Sequence, residues 1–257
     1  MTLEQKLIAF KTIVVKEVLR FSRIWVQTIV PPMITTSLYF VIFGSLIGPR
    51  IGDMNGFRYM DYIVPGLIMM SVITNSYANV VSSFYGSKFH HHIEEMLVSP
   101  LPNYIIVMGF TAGGVARGMS VGLAVTLVSM AFSDLRIHNL AVIVSIVVLT
   151  STLFSLAGLI NGVFAKSFDD ISIVPTFVLT PLTYLGGIFY TIQMLPAFWQ
   201  KVSLANPILY MVNSFRFGFL GVSDIDVALS YVIVAAFILA LYLYALHLMN
   251  IGYGIRK

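Results

Sequence analysis

The sequence predicts an all-α polytopic membrane protein, and three observations carry that fold class. Hydrophobic residues make up 58% of its 257 and charged residues 10%, against roughly 25% charged in an average soluble domain; a soluble surface could not be covered. Six apolar stretches, at 24–47, 62–84, 104–132, 139–165, 171–195 and 227–250, each exceed the ~20 residues that cross ~30 Å of hydrocarbon. An amphipathic segment leads into the first. The expected organisation is one transmembrane domain, 1–257, with an interfacial helix at 1–23, six spans within 24–250 and a cytoplasmic tail at 251–257.

The lead-in repeats apolar side chains at Leu3, Leu7, Phe10, Val14, Val18 and Phe21, steps of three and four that form one helical stripe. Lys6, Lys16, Arg20 and Arg23 fall largely opposite, so the helix is read as lying in the cytoplasmic interface with its cations toward anionic headgroups. No cleavable signal peptide is expected, because the first apolar run is long enough to span and follows a charged helix. Six spans put both termini on one side. Lys and Arg favour the termini and the loops at 85–103 and 166–170 over the opposite loops, which hold Arg50, Arg58, Arg136, Lys201 and Arg216. That bias places both termini and the 85–103 loop in the cytoplasm. Trp25 and Trp199 then fall near opposite interfaces, where amphipathic rings settle.

Within the spans, a few residues break the apolar pattern. Pro31-Pro32 in span one and Pro175 and Pro181 in span five break helices, which a bilayer tolerates only where freed carbonyls face protein or a water-filled cavity; these spans are candidates for lining a pathway. Arg117 is read as snorkelling toward the cytoplasmic boundary, with a substrate or gating contact as the alternative. Gly109, Gly113, Gly114, Gly118 and Gly122 are read as close-packing surfaces within one subunit. Asn75, Asn79, Asn161 and His247 are read as interhelical hydrogen-bond partners. Between spans five and six, residues 193–221 are too polar to span and too apolar for a free loop. Two short re-entrant helices are expected there, at 195–204 and 210–219, dipping into the outer leaflet with Arg216 near the headgroups.

The one compact polar insert runs from Lys88 to Pro102. Glu94, Glu95, Met96 and Leu97 favour a helix, and Pro100 and Pro102 stop it. It is expected to be a cytoplasmic coupling helix, residues 88–98, presenting Lys88, Phe89, His90, His91, His92, Glu94, Glu95, Met96 and Leu97 to a soluble partner. Adjacent histidines point about 100° apart on a helix and H-E-x-x-H is absent, so no metal site is assigned. GGVARGMS at 113–120 keeps the glycine spacing of a phosphate loop but has Met119 in place of its lysine, so this chain is not expected to hydrolyse ATP. Basic residues cluster at membrane edges, and no nucleic-acid partner is expected. Cysteine is absent, which excludes disulfides and thiolate metal sites. No acidic residue is expected deep in a span, so the proton relay of a secondary transporter is not visible.

These residues together resemble the permease subunit of the ABC-2 group of ATP-binding-cassette transporters. Three features carry the likeness: the amphipathic helix followed by six spans; the IEEMLVSPLP segment, where the family has an acidic coupling helix ending in proline; and the order Gly186-Gly187-Ile188-Phe189, Leu195-Pro196, Asn206-Pro207, Tyr210, Arg216. RIWVQTIVPP, IVPGLIMMSVITN and FAKSFDDISIVPTFVLTPLTYLGG narrow it to a subgroup of bacterial inner membrane transport permeases. The resemblance implies a homodimer in the bilayer, served by a separate cytoplasmic ATP-binding cassette subunit that uses ATP and Mg, with no cofactor on this chain. It implies that spans one, two and five surround a path, for which Pro31, Pro32, Asn75, Asn79, Pro175, Pro181 and Tyr184 are the candidate lining. It also implies an outer motif of Pro196, Asn206, Pro207, Tyr210 and Arg216. His90, His91 and His92 depart from the usual basic-acidic coupling helix, and since histidine changes charge between pH 5 and 8, docking is expected to weaken in mild acid. The expected function is export of a hydrophobic or amphipathic substrate; a stand-alone secondary transporter or channel, or a membrane scaffold, is the alternative.

Overall fold

The computed structural model describes residues 1–254; the last three residues of the expected tail lie outside the described residues. Helix α1 (Leu3–Arg23) opens on a capping box in which Gln5 N–H donates to Thr2 Oγ1 and Thr2 N–H to Gln5 Oε1. The chain breaks at Ile24, whose φ of −112° and ψ of 32° are not helical, and α2 (Trp25–Tyr39) begins. It widens into a π-helical stretch, Phe40–Ile47, and ends in α3 (Gly48–Ile51). A small hairpin follows, β1 (Asp53–Met54) against β2 (Phe57–Arg58), with Asp53 opposite Arg58. Its turn is Asn55-Gly56, both at positive φ, the pair that a two-residue type I′ turn selects.

Then come α4 (Tyr59–Phe89), α5 (His92–Val98), α6 (Asn103–Ser129) and α7 (Leu140–Phe164). The next apolar segment is helical from Asp170 to Tyr184 in three pieces: α8 (Asp170–Val174), a π-helical turn at Pro175–Leu179, and α9 (Thr180–Tyr184). After a short 3-10 turn come α10 (Ala197–Leu204), α11 (Pro207–Leu220) and α12 (Val227–Ile251). Five helical stretches among the described residues are long and apolar enough to cross a membrane: Trp25–Ile51, α4, α6, α7 and α12. The α8–α9 helix, 15 residues from Asp170 to Tyr184, rises only about 22 Å.

Helix α4 is the hub, with 78% of its most apolar window buried against 12% for Trp25–Ile51. It packs on α6 and α7 through small residues. A methyl group on Gly114 would collide with Ser155 of α7, one on Gly118 with Ser76 of α4, and one on Gly122 would stand 2.8 Å from Val72. The glycine run therefore packs helices within this chain, as the four-residue spacing indicated. Two poles can be told apart. At one, Lys88 Nζ donates to the carbonyls of Val163 and Ala165, both at 2.7 Å, and Asn103 Nδ2 donates to Asn250 Oδ1 at 2.8 Å. At the other, Ser133 donates to Asp61 at 2.6 Å, Asn55 to Asp224, and Arg58 pairs with Asp61 and Asp134.

Several expectations need correction. Pro31 and Pro32 do not break span one: α2 runs through both, and Thr36 Oγ1 donates to the Pro32 carbonyl at 2.7 Å. Pro175, by contrast, coincides with a π-helical widening. The helix of span five ends at Tyr184 instead of running to 195, because Gly187 sits at φ +72°, a left-handed turn that glycine accepts without Cβ strain. In α1 the buried line is Ile13, Glu17 and Phe21, while Leu3 and Leu7 are exposed. The helix is rotated from its expected setting because it packs against glycines of α6: a Cβ on Gly109 would stand 2.5 Å from Ile13, and one on Gly113 2.5 Å from Glu17.

Candidate functional site

The Lys88–Pro102 insert forms a compact projection at the first pole. Lys88 and Phe89 belong to the end of α4, not to the coupling helix, and Lys88 is turned back to cap the carbonyl end of α7. His91 adopts φ 62°, a left-handed setting rare for a side chain with Cβ, and this corner redirects the chain into α5. Its Nδ1 lies 2.9 Å from Glu94 Oε1, which ties the corner to the first turn of the helix. Ile93 is fully buried and anchors α5 to the bundle, Met96 and Leu97 are half-buried, and Val98 stands 89% exposed. His90, His92 and Glu95 also face outward. The projection therefore offers an acidic helix with Val98 bare at its end and Phe89 exposed at its base. Beside it, Asp170 accepts the N–H groups of Lys166 and Ser167 at 2.8 and 3.1 Å, and the Lys166 bond foremost holds its carboxyl below the usual aspartate range.

Along α4, one polar side chain in every four residues meets a side chain of α1, α6 or α2. Ser83 Oγ donates to Glu17 Oε1 at 2.7 Å. Asn79 Oδ1 and its carbonyl accept from Arg20 Nη2 at 2.8 and 2.9 Å. Asn75 Oδ1 accepts from Arg117 Nη2 at 3.1 Å, and Ser71 Oγ lies 3.3 Å from Thr36 Oγ1. Glu17 is fully buried and pairs with Arg20 at 3.2 Å. A polar ladder about 18 Å long thus fastens α1, α6 and α2 to the hub. Arg20, expected among headgroups, turns inward instead, and Arg117 does not snorkel: it reaches Asn75 inside the protein.

Between α2 and α4 lies a cleft of about 320 Å³, lined by Gln27, Pro31, Pro32, Thr35, Ser71 and Asn75 among others. Pro31, Pro32 and Asn75 of the candidate lining are thus brought together. Asn79 is taken up by Arg20, and neither Pro175 nor Pro181 lines this cleft. Tyr39 closes the end of the cleft nearer the second pole, within a ring cluster: Phe189 lies 6.0 Å from Tyr39, 5.0 Å from Phe43 and 6.2 Å from Tyr184 by centroid. Tyr59 Oη holds the Phe189 carbonyl at 3.2 Å.

The expected outer motif is a set of pins. Asn206 caps α11 and donates to the Leu182 carbonyl at 2.6 Å. Pro207 is the first residue of α11, where a missing N–H costs nothing. Tyr210 Oη closes on the Leu204 carbonyl at 2.6 Å, and the Pro196 carbonyl receives Gln200 N–H. Arg216, expected near the headgroups, is 1% exposed. Its Nη2 donates to Gly187 O at 2.6 Å, its Nε to Tyr62 O at 3.3 Å, and its guanidinium stacks 3.9 Å above the Tyr62 ring. It fastens the turn after span five to α4.

Residues 8–220 match the family described as ABC-2 type transporter. The chain belongs to this family. It is 58% identical over 250 residues to the inner membrane transport permease YadH of Escherichia coli K12, across 97% of this chain and 98% of that one. The Shigella flexneri protein of the same name matches to the same extent. Nodulation protein J of Neorhizobium galegae is 23% identical over 193 residues, 75% of this chain and 74% of its own.

The ABC-2 likeness read from the sequence is thereby established, and the geometry adds what the sequence did not show. Glu17 was missed because it sits in a helix read as superficial, although it lies seven residues after Phe10, on the same face. The ladder Ser71, Asn75, Asn79, Ser83 was legible as a four-residue repeat of polar residues in an apolar span. Its partners were not, because three separate elements supply them.

Proposed function

We propose that this ABC-2 chain is the membrane-spanning permease of an ATP-driven exporter that moves a hydrophobic or amphipathic substrate out across a bacterial inner membrane, the membrane named for its Escherichia coli relative. The observation that carries the reading is α5. It is anchored by buried Ile93 while presenting Glu95 and bare Val98 away from the bundle, which suits a partner's groove better than a lipid surface. The partner is a separate cytoplasmic ATP-binding cassette subunit that uses ATP and Mg; this chain hydrolyses nothing. Nucleotide-driven closure of two such subunits displaces α5, and because α5 joins the hub α4 through the short corner at His90-His91, the push reaches α2 and the α8–α9 segment.

In this reading the α8–α9 stretch with the turn after it is the sixth crossing. It runs from the first pole, where Phe168 meets Tyr85 at 4.9 Å, toward the second, where Ile188 lies against Gly66. Both termini and α5 are then cytoplasmic, α10 and α11 belong to the outer leaflet, and a second copy completes the path beside the exposed α2. The stand-alone secondary transporter is disfavoured by the one buried acid among the described residues: Glu17 is held by Arg20 and Ser83 and lacks the freedom to change partners. The test is Glu94→Ala with Glu95→Ala in the chain produced with its ATPase subunit. Transport and substrate-stimulated hydrolysis are expected to uncouple while membrane insertion is unchanged; normal pumping would reject α5 as the docking element.

A further inference from the structure

Arg117 lies 14 residues past the start of α6 and 12 short of its end, and Asn75 lies 16 past the start of α4 and 14 short of its end. Their hydrogen bond therefore sits half-way along two spanning helices, where an ionised side chain is costly and needs a partner. Among the described residues no acid pairs with Arg117: Glu17 is occupied by Arg20, whose own guanidinium reaches Asn79, about one turn of α4 from Asn75. Glu17, Arg20 and Arg117 together carry one uncompensated positive charge. Arg117 Nε is, moreover, buried without a hydrogen-bond partner among the described residues.

The neighbourhood of this charge is a ligand-sized space. Asn75, to which Arg117 donates, is also a wall of the cleft between α2 and α4. From the facing α2 wall, Gln27 and Thr35 add amide and hydroxyl donors, and on the α4 side Leu67 and Met70 supply an apolar surface beside Asn75. Thr35, Thr74 and Pro31 are exposed, so the cleft opens sideways.

We propose that this cleft binds the anionic group of an amphiphile, a phosphate or carboxylate on an apolar tail. Arg117 supplies the compensating charge from behind Asn75, and the tail lies along Leu67 and Met70. This names the substrate class of the permease and rests on that reading. A carboxylate or phosphate in the cleft is drawn by the guanidinium charge across Asn75, an attraction that is strong away from water and that a neutral alcohol does not feel. A free inorganic anion lacks the tail that would carry it to mid-span. Anionic amphiphiles come from two sources, the phospholipids of the bilayer and separate cargo molecules.

The test uses the full chain in nanodiscs of zwitterionic phosphatidylcholine and measures binding of radiolabelled dodecyl phosphate. Saturable binding is expected, with dodecanol and inorganic phosphate failing to compete. Arg117→Gln should weaken it about tenfold, and Arg117→Lys should retain most of it. Asn75→Asp places a carboxylate beside Arg117 and should abolish binding while the bundle keeps its fold, so the proposal remains testable if Arg117→Gln misfolds. Competition by added phosphatidylglycerol would assign the site to membrane lipid; lack of it would assign the site to a separate amphiphile. Unchanged binding in Asn75→Asp, or equal competition by dodecanol, overturns the proposal. Copurification of the ATPase subunit is scored on the same preparations: its retention with no dodecyl phosphate binding rejects only this inference, and its absence rejects the permease reading instead.

Discussion

Arg216→Leu separates a buried pin from a headgroup anchor. In the structure the guanidinium holds Gly187 O at 2.6 Å and lies 3.9 Å over the Tyr62 ring. Leucine fills similar space but donates nothing, so the Gly187 carbonyl is orphaned at a cost of about 1–3 kcal/mol. Loss of a desolvated cation–π contact adds about 2 kcal/mol. The Tyr62 carbonyl stays inside α4 and keeps its helical environment. Release of a desolvated guanidinium offsets part of the loss, leaving a net of about 2 kcal/mol, or roughly thirtyfold in the opening of the 185–191 turn. The chain contains no cysteine, so Thr191→Cys, at a buried position, gives a single reporter. Labelling of that thiol by a membrane-impermeant maleimide should accelerate roughly thirtyfold when Arg216→Leu is added. An unchanged rate with an unchanged thermal midpoint would show that Arg216 does not hold the turn.

Three further outcomes follow from the inner half of the bundle. Glu17→Gln should lower the thermal midpoint of the purified chain by the equivalent of about 2 kcal/mol. That is less than the 3–5 kcal/mol of a fully buried pair, because the Arg20 side chain keeps 30% of its surface exposed; no change would refute the buried pairing. Gly113→Leu should cost about 1–3 kcal/mol by overpacking, since its Cβ would stand 2.5 Å from Glu17 Cβ, whereas Gly86→Ala, with nothing within 4 Å, should be neutral or slightly stabilising in the same melt. The cap built by Asp170 should depend on pH. Its folded pKa is lowered by the Lys166 and Ser167 N–H groups, so its contribution is complete above the unfolded value of about 3.8. That contribution is lost as pH falls through the lowered folded value. Amide exchange over 166–174 should show that loss in the native chain and not in Asp170→Asn.

The sequence alone determined the solvent and the family. A chain with so little charge has only the bilayer to face, and helices of 25 or more residues follow from backbone groups that must bond internally there. It also located the acidic insert, since Pro100 and Pro102 cannot extend a helix, and the close-packing glycines, since their spacing is a property of one helix. What tertiary structure decided was every assignment that needed two elements. The charge pattern of α1 read as superficial, but packing against Gly109 and Gly113 rotated Glu17 and Arg20 inward. Arg117 read as snorkelling, but Asn75 of another helix captured it. Arg216 read as an interfacial cation, but Gly187 and Tyr62, 29 and 154 residues away in sequence, enclosed it. A helix's periodicity fixes which of its residues share a face, and only the neighbouring helices fix where that face points.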